Sequence, residues 1–246
     1  MREARRRFFN CPKANLVAII GCGGTGSLLA PMVARDIVRM ETMGSILVFV
    51  DPDIVEEKNL VRQNFVRGDL GKYKAQVLAE RYSRIFGIRT VYLSKKFDDF
   101  VRAEFLSCGV ILGCVDNLQT RREMLSASKS YEKEYLDVGN EREAGQAVIG
   151  YSRYLSFCPM EILYPDVLTQ DKQTSCADAP ANAQNLPINI LSATFLFTLL
   201  SLAREKVEEK DTIVAINYNV FGRTSVVTYA ELINIVKGKE ETIERR

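Results

Sequence analysis

Histidine is absent from the 246 residues of this chain, and the formal net charge is only +2. The first absence confines any catalysis to chemistry that needs no imidazole base; the second removes the global basic signature of a nucleic-acid-binding protein. The six cysteines, at positions 11, 22, 108, 114, 158 and 176, form no CxxC pair. That spacing argues against a metal cage or a disulfide framework. No apolar h-region follows the basic run "REARRR" at residues 2 to 7, so the N-terminus does not read as a secretory signal. Reduced thiols and a cytoplasmic location are the matching expectation. The run itself reads as a solvated, frayed terminus. The longest apolar-rich segment, "ILSATFLFTLLSLA" at 190 to 203, is too short to span a bilayer and reads as a buried helix.

With 47% hydrophobic and 26% charged residues, the composition is that of a soluble globular protein. The length suits one large α/β domain over residues 1–246. Short β-type runs, "NLVAII", "SILVFV", "RTVYL", "GVILGCV" and "EYLDV", alternate with helically spaced segments through the first 140 residues. This alternation predicts a doubly wound, mostly parallel sheet of the Rossmann type. Beyond it, "GQAVIGYSRYL" reads as a further strand. Residues 158 to 189 read as a long irregular stretch, and "TIVAINYNV" and "SVVTYAEL" as an antiparallel hairpin turning through "FGRT".

The chemistry-bearing signal is "GCGGTGS" at 21 to 27, set between a predicted strand and a predicted helix. Gly21, Gly23 and Gly26 fit G-x-G-x-x-G, with Gly24 in the same turn, and Asp51 closes the second strand 25 residues after Gly26. A tight turn, backbone approach to phosphate at a helix N-terminus, close helix packing and an acid for ribose hydroxyls together indicate a ribonucleotide. A merely structural strand-to-helix turn is the simpler alternative.

The next segment separates a dinucleotide from ATP. "DPDIVEEKNLVRQNFVRGDLGKYKA" gathers Asp53, Asn59, Arg62, Gln63, Lys72 and Lys74 behind the ribose acid. An arginine and a lysine aimed at phosphates stabilise charge building on a displaced pyrophosphate, whereas hydride transfer builds no such charge. Taken singly, each is equally a solvated surface cation. "GCVDN" at 113 to 117 then places Asp116 and Asn117 just past a buried strand, at the sheet edge where ligands bind. Asp116 is the candidate Mg²⁺ ligand near the phosphates; an N-cap for the helix "LQTRREML" is the alternative use of either residue, and both roles are compatible, with Asn117 capping and Asp116 facing the metal.

The elements "GCGGTGS", "DPDIVEEKNLVRQ", "GKYKA", "CVDN" and "TSCADAP", in this order, resemble the adenylating superfamily of ThiF, MoeB and the ubiquitin-activating enzymes over roughly residues 15 to 235. Partly through "GKYKAQVLAER", the chain looks most like the ThiF-type proteins of bacterial ParB-related, ThiF-related cassette (PRTRC) systems. The resemblance implies that Asp51 binds the ribose of ATP, that Asn59, Arg62 and Lys74 contact phosphates, and that Asp116 holds magnesium. It implies a homodimer in which the C-terminal glycine carboxylate of a small ubiquitin-like or sulfur-carrier protein attacks the α-phosphate, with a separate carrier enzyme as a further partner. Neither nucleic acid nor a membrane is expected as a partner. A carboxylate is already ionised at neutral pH, so the missing histidine is compatible with this chemistry.

The resemblance also aligns Cys176 with a cysteine that takes the acyl group as a thioester, its thiolate favoured by a cation such as Lys172; a small packing residue is the bland alternative. Cys22, Cys108, Cys114 and Cys158 read as packing residues. Two departures stand out. The region in which many relatives carry paired zinc-binding cysteines offers only Cys158, so no zinc is expected. The segment before the first strand is short, which leaves open whether Arg5, Arg6 or Arg7 reaches a partner subunit's ATP. A nicotinamide-dependent oxidoreductase explains the glycines and Asp51 but not the rest of the set, and a non-catalytic scaffold subunit is the third reading.

Overall fold

The structure is a computed structural model, and it describes residues 6–7, 16–39, 45–97, 109–165, 185–204, 206–207 and 209–244. Its strands in chain order are β1 (Arg6–Arg7), β2 (Leu16–Ile20), β3 (Ile46–Val50), β4 (Arg89–Leu93), β5 (Val110–Gly113), β6 (Glu134–Asn140), β7 (Ala144–Tyr151), β8 (Lys206–Val207), β9 (Ile213–Asn219) and β10 (Thr224–Thr228). The helices are α1 (Gly24–Arg39), α2 (Lys74–Phe86), α3 (Leu118–Tyr131), α4 (Pro159–Leu163), α5 (Leu186–Ala203) and α6 (Tyr229–Glu244).

Eight strands form one sheet in the order β10-β9-β7-β6-β5-β2-β3-β4. From β6 through β4 every neighbouring pair is parallel; β6–β7, β7–β9 and β9–β10 are antiparallel. The expected Rossmann-like sheet with antiparallel C-terminal strands is therefore the observed one. β2 and β3 read as unbroken apolar runs because both faces are covered. Val17, Ile19, Leu47 and Phe49 point into the layer of α1, α2 and α5, while Ala18, Ile20, Val48 and Val50 point toward α3 and α4. The chain runs outward from β2 to β3 and β4, then returns to place β5 on the other side of β2. Ligands bind at this switch point in such sheets, above the carboxyl ends of the two central strands.

Three boundaries differ from the sequence expectation. "SVVTYAEL" is a strand only to Thr228: the Thr228 hydroxyl accepts the Glu231 N–H (3.3 Å) and the Glu231 carboxylate accepts the Thr228 N–H (2.7 Å). This reciprocal capping starts α6 at Tyr229. The stretch expected to be irregular contains α4, and α5 begins earlier than expected because Asn185 caps it through Ile188 N–H (3.1 Å) with a proline in its first turn. At 18 residues α5 is long and apolar enough to cross a membrane, contrary to the expectation from residues 190 to 203 alone. It packs instead on β6, β7, β9 and α1, burying Ile188, Ala193, Leu196, Leu199 and Leu200. Finally, Arg6 and Arg7, expected in a frayed arm, pair antiparallel with Val207 and Lys206.

Candidate active site

Two glycines determine the shape of the turn after β2. Gly21 has φ +90°, and a β-carbon there would lie 2.6 Å from the Cys114 carbonyl oxygen at the exit of β5. Gly26, one turn into α1, faces the Gly21 carbonyl so closely that no β-carbon fits between them. Strand, turn and helix thus approach one another without side chains in between, as the G-x-G-x-x-G reading requires. The first intrahelical bond of α1 is Ser27 N–H to Gly23 O (3.1 Å), which leaves the preceding N–H groups at the positive end of the helix dipole. Beside Gly23 there is room: the nearest atom to a β-carbon there is Gln63 Nε2 at 3.9 Å.

Asp51 is buried and ties this turn to the next loop. One carboxylate oxygen accepts the Cys22 N–H (2.6 Å) and the other the Asp53 N–H (2.8 Å). Burial raises its pKa, opposed first by the nearby Lys74 ammonium and then by those two N–H donors. Lys74, the first residue of α2, is itself buried; its N–H donates to Asp53 O (2.9 Å) and its Nζ to Asp53 Oδ2 (2.8 Å). Asp53, assigned from sequence to ligand binding, thus holds Lys74 in place. An oxygen of Asp51 thus meets the glycine turn at the Cys22 N–H, and the Lys74 ammonium lies close enough to act electrostatically on both residues.

The intervening loop folds on itself. Val55 N–H donates to Lys72 O (2.8 Å) and Gly71 N–H to Val55 O (3.0 Å). Asn59 is buried, and its Oδ1 accepts the Glu56 N–H (2.8 Å), so only its amide nitrogen is left to meet a phosphate. Arg62 is half-buried on the turn that follows, with its N–H on Asn59 O (3.3 Å). Gln63 is buried, with Oε1 lacking a hydrogen-bond partner. Sequence reasoning missed what anchors this loop. Asn64 donates from its backbone to Ser27 Oγ (2.9 Å) and from its side chain to Tyr82 OH (3.0 Å), and Arg81 donates to Asn64 O (2.5 Å) and pairs with Asp69. Arg62 and Gln63 are thereby held beside the glycine turn by α1 and α2.

Past β5, Asp116 is exposed and Asn117 is the N-cap of α3, its Oδ1 accepting the Thr120 N–H (2.8 Å). The two alternatives raised by the sequence are thus divided between them: Asn117 caps, and Asp116 projects at the sheet edge. A single exposed carboxylate suits Mg²⁺, which takes one or two carboxylates, phosphate oxygens and water. Among the described residues no group of three or more His, Cys, Asp or Glu gathers as a metal site.

Two further networks back this edge. Arg121 and Asp137 form a buried ion pair, with Tyr135 donating to Asp137 (2.7 Å). Arg121 was detectable in principle, because 121, 124, 125 and 128 are the buried stripe of α3 and an arginine interrupts an otherwise apolar or small series. Asn140, at the end of β6, donates to Ser192 Oγ (2.8 Å) and Asn189 Oδ1 (3.2 Å) on α5, and Tyr218 donates to the same Ser192 (2.8 Å). The Asn189 amide packs on Gly24, where a β-carbon would come within 2.5 Å of it.

The cysteines divide as follows. Burial raises the thiol pKa of Cys22 and of Cys114 above the ordinary range, and that of Cys158 to about 11, so all three are protonated packing groups. Cys11, Cys108, Cys176 and Lys172 lie outside the described residues, as does Arg5. Arg6 and Arg7 pair with the segment after α5. Asn189, which packs on Gly24, lies near the other end of that helix, about 21 Å of helix from Ala203.

A doubly wound α/β protein with a tight glycine turn, a buried acid after the second central strand and a polar loop at its switch point is the class that this fold and geometry define. The chain belongs to the ThiF family, whose model matches residues 13–242. Among curated proteins it is similar to ubiquitin-like modifier-activating enzyme 5 of Bombyx mori, 28% identical over 153 residues, or 57% of this chain and 37% of that protein. The enzyme of the same name from Dictyostelium discoideum is 30% identical over 142 residues, 52% of this chain and 36% of that protein. The chain thus spans little more than a third of the length of these relatives. Its fold is similar to that of Escherichia coli MccB crystallised with ATP, with TM-score 0.65, 15% identity, and coverage of 87% of this chain and 63% of MccB. PaaA has TM-score 0.64 and 16% identity, with coverage of 87% and 72%.

Proposed function

We propose that this chain is an ATP-dependent adenylating enzyme that activates the C-terminal carboxylate of a small protein or peptide. The observation that carries this reading is that Asp51 and Gln63 meet one glycine turn, with the buried Lys74 close enough to act electrostatically on Asp51 and Cys22. Asp51 alone would serve a nicotinamide cofactor. A buried lysine and an anchored arginine loop beside the phosphate end of the turn suit a reaction that expels pyrophosphate. Family membership, similarity to ubiquitin-like modifier-activating enzymes and a fold shared with an ATP-bound protein support the same reading.

In this reading Asp51 accepts ribose hydroxyl hydrogens with its remaining lone pairs, and the free N–H groups of α1 meet phosphate oxygens. The substrate carboxylate oxygen attacks the α-phosphorus; the bond from that phosphorus to the bridging oxygen of the β-phosphate breaks, and pyrophosphate leaves. Lys74 and Arg62 stabilise the charge gathering on the leaving group, a contribution that electrostatic preorganisation makes large. Asp116 would hold Mg²⁺, which neutralises phosphate charge when bound. The substrate is a ubiquitin-like or sulfur-carrier protein with a C-terminal glycine, the enzyme is a homodimer of cassette type, and it works in the cytoplasm. Cys176 receives the acyl group as a thioester, its sulfur displacing AMP from the adenylate.

Calorimetry with Mg·ATP, and separately with NAD and NADH, tests the nucleotide. Mg·ATP should bind, and both Arg62→Ala and Asp116→Ala should weaken it, each by roughly tenfold as expected for one lost charge-assisted contact. Binding of NAD in its place would assign the glycine turn to an oxidoreductase. For the second step, Cys176→Ala should leave pyrophosphate release intact and abolish a thiol-reducible conjugate with the substrate. A conjugate surviving in that variant would remove Cys176 from the mechanism.

A further inference from the structure

The Arg121–Asp137 pair lies directly behind the loop that carries Asp116, and the mechanism above leaves it without a task. Both side chains are buried. From the same guanidinium, Nη2 donates to Val115 O (2.7 Å) and to Val138 O (2.8 Å), while Nη1 pairs with Asp137. Val115 lies two residues past the carboxyl end of β5, and Val138 lies on the neighbouring parallel strand β6, one residue beyond its last pairing with β5. One planar group therefore fixes the spacing of the two chain segments as they reach the ligand-binding edge of the sheet.

Two glycines make room for it. A β-carbon at Gly113 would collide with the Asp137 carboxylate, and one at Gly139 would come within 3.2 Å of Arg121 Nη1. Stability alone is a weak reason for such an arrangement, because the desolvation of a buried pair offsets much of its attraction. Geometry is a better one. The fork of an arginine bonds two carbonyls and a carboxylate simultaneously in a fixed plane, which a lysine cannot reproduce. Val115 directly precedes Asp116, and the cap by Asn117 pins the other side of that residue.

We infer that Arg121, held by Asp137, is a positioning residue that sets the direction in which Asp116 leaves β5 and so tunes the site's use of Mg²⁺. This inference rests on the adenylation reading for its magnesium half, and on the geometry alone for its backbone half. Arg121→Lys keeps the charge against Asp137 and gives up the fork. In the nucleotide-free protein, amide hydrogen exchange of residues 115–117 should quicken by about tenfold or more in this variant. In adenylation assays the Mg²⁺ concentration for half-maximal pyrophosphate release should rise by a similar factor, and combining Arg121→Lys with Asp116→Ala should add little to Asp116→Ala alone.

Asp137→Asn, which preserves shape and removes the charge, should act in the same direction and serves if Arg121→Lys fails to fold. Unchanged exchange at 115–117 would overturn the inference whatever the chain binds. So would a loss of activity that leaves the Mg²⁺ dependence unmoved, or effects of the two substitutions that simply multiply. A wild-type chain that binds no Mg·ATP would overturn the adenylation reading and the magnesium half together; that outcome is read on the wild type alone and cannot be confused with the exchange result.

Discussion

Gly26→Ala is expected to cost more than the same change at any other described glycine. The new β-carbon would be driven into the Gly21 carbonyl oxygen, and that atom cannot turn aside: it belongs to backbone whose N–H is bonded to Val50 O (2.8 Å). Relief requires α1 to lift away from β2, which uncouples Leu29, Ala30 and Val33 from the core. Overpacking of this kind costs about 1–3 kcal/mol, and more where backbone must yield. The same displacement moves the N–H groups that would meet phosphate, so Mg·ATP binding should be lost outright in calorimetry. Urea unfolding of Gly68→Ala provides the comparison: nothing lies within 4 Å of a β-carbon at Gly68, and its midpoint should stay close to wild type, within about 0.5 kcal/mol. A Gly26→Ala protein with wild-type stability and wild-type Mg·ATP affinity would show that the glycine turn is not the tight structure described.

Asp51→Ala is the second large effect expected. It removes an acceptor from two N–H groups at once, those of Cys22 and Asp53, and the first of these is buried. Each unpaired donor costs about 1–3 kcal/mol, so stability should fall by an amount of that order even without ligand. Lys74 would also lose the carboxylate that its charge opposes across the turn. If Asp51 also takes the ribose hydroxyls, Mg·ATP affinity should drop by roughly a hundredfold, the equivalent of about 2.7 kcal/mol. Asp51→Asn is no rescue, because one oxygen becomes an NH₂ facing an N–H donor. A variant with a lower melting temperature and unchanged affinity would leave Asp51 as a strut of the turn and place the ribose elsewhere.

The pairing of turn and loop explains why so much of the candidate site was legible from the chain alone. G-x-G-x-x-G between a strand and a helix, an acid ending the next strand, and a compact polar loop are local patterns, each governed by backbone geometry within a few residues. Asn64, Ser27, Arg81 and Tyr82 escaped notice for the opposite reason. They look like ordinary surface or core residues, and only the folded chain shows that they hold Arg62 and Gln63 beside the turn. The start of α6 escaped for a different reason. "TYAE" carries a T-x-x-E capping signal, but it follows an alternating β pattern without a break, and the β pattern dominated the reading.

What the sequence by itself determined is the alternation that builds the sheet, the glycine turn at its switch point and the residue types gathered there. Those follow from periodicity and local sterics, which act between residues close along the chain. The tertiary structure alone decided that Asp53 holds Lys74 and that Arg121 finds Asp137 inside the sheet edge. It also placed Asn189 of α5 against Gly24, some 165 residues earlier in the chain. Such pairings join residues far apart in sequence, and their free energy comes from burial and hydrogen-bond satisfaction that exist only once the layers have packed.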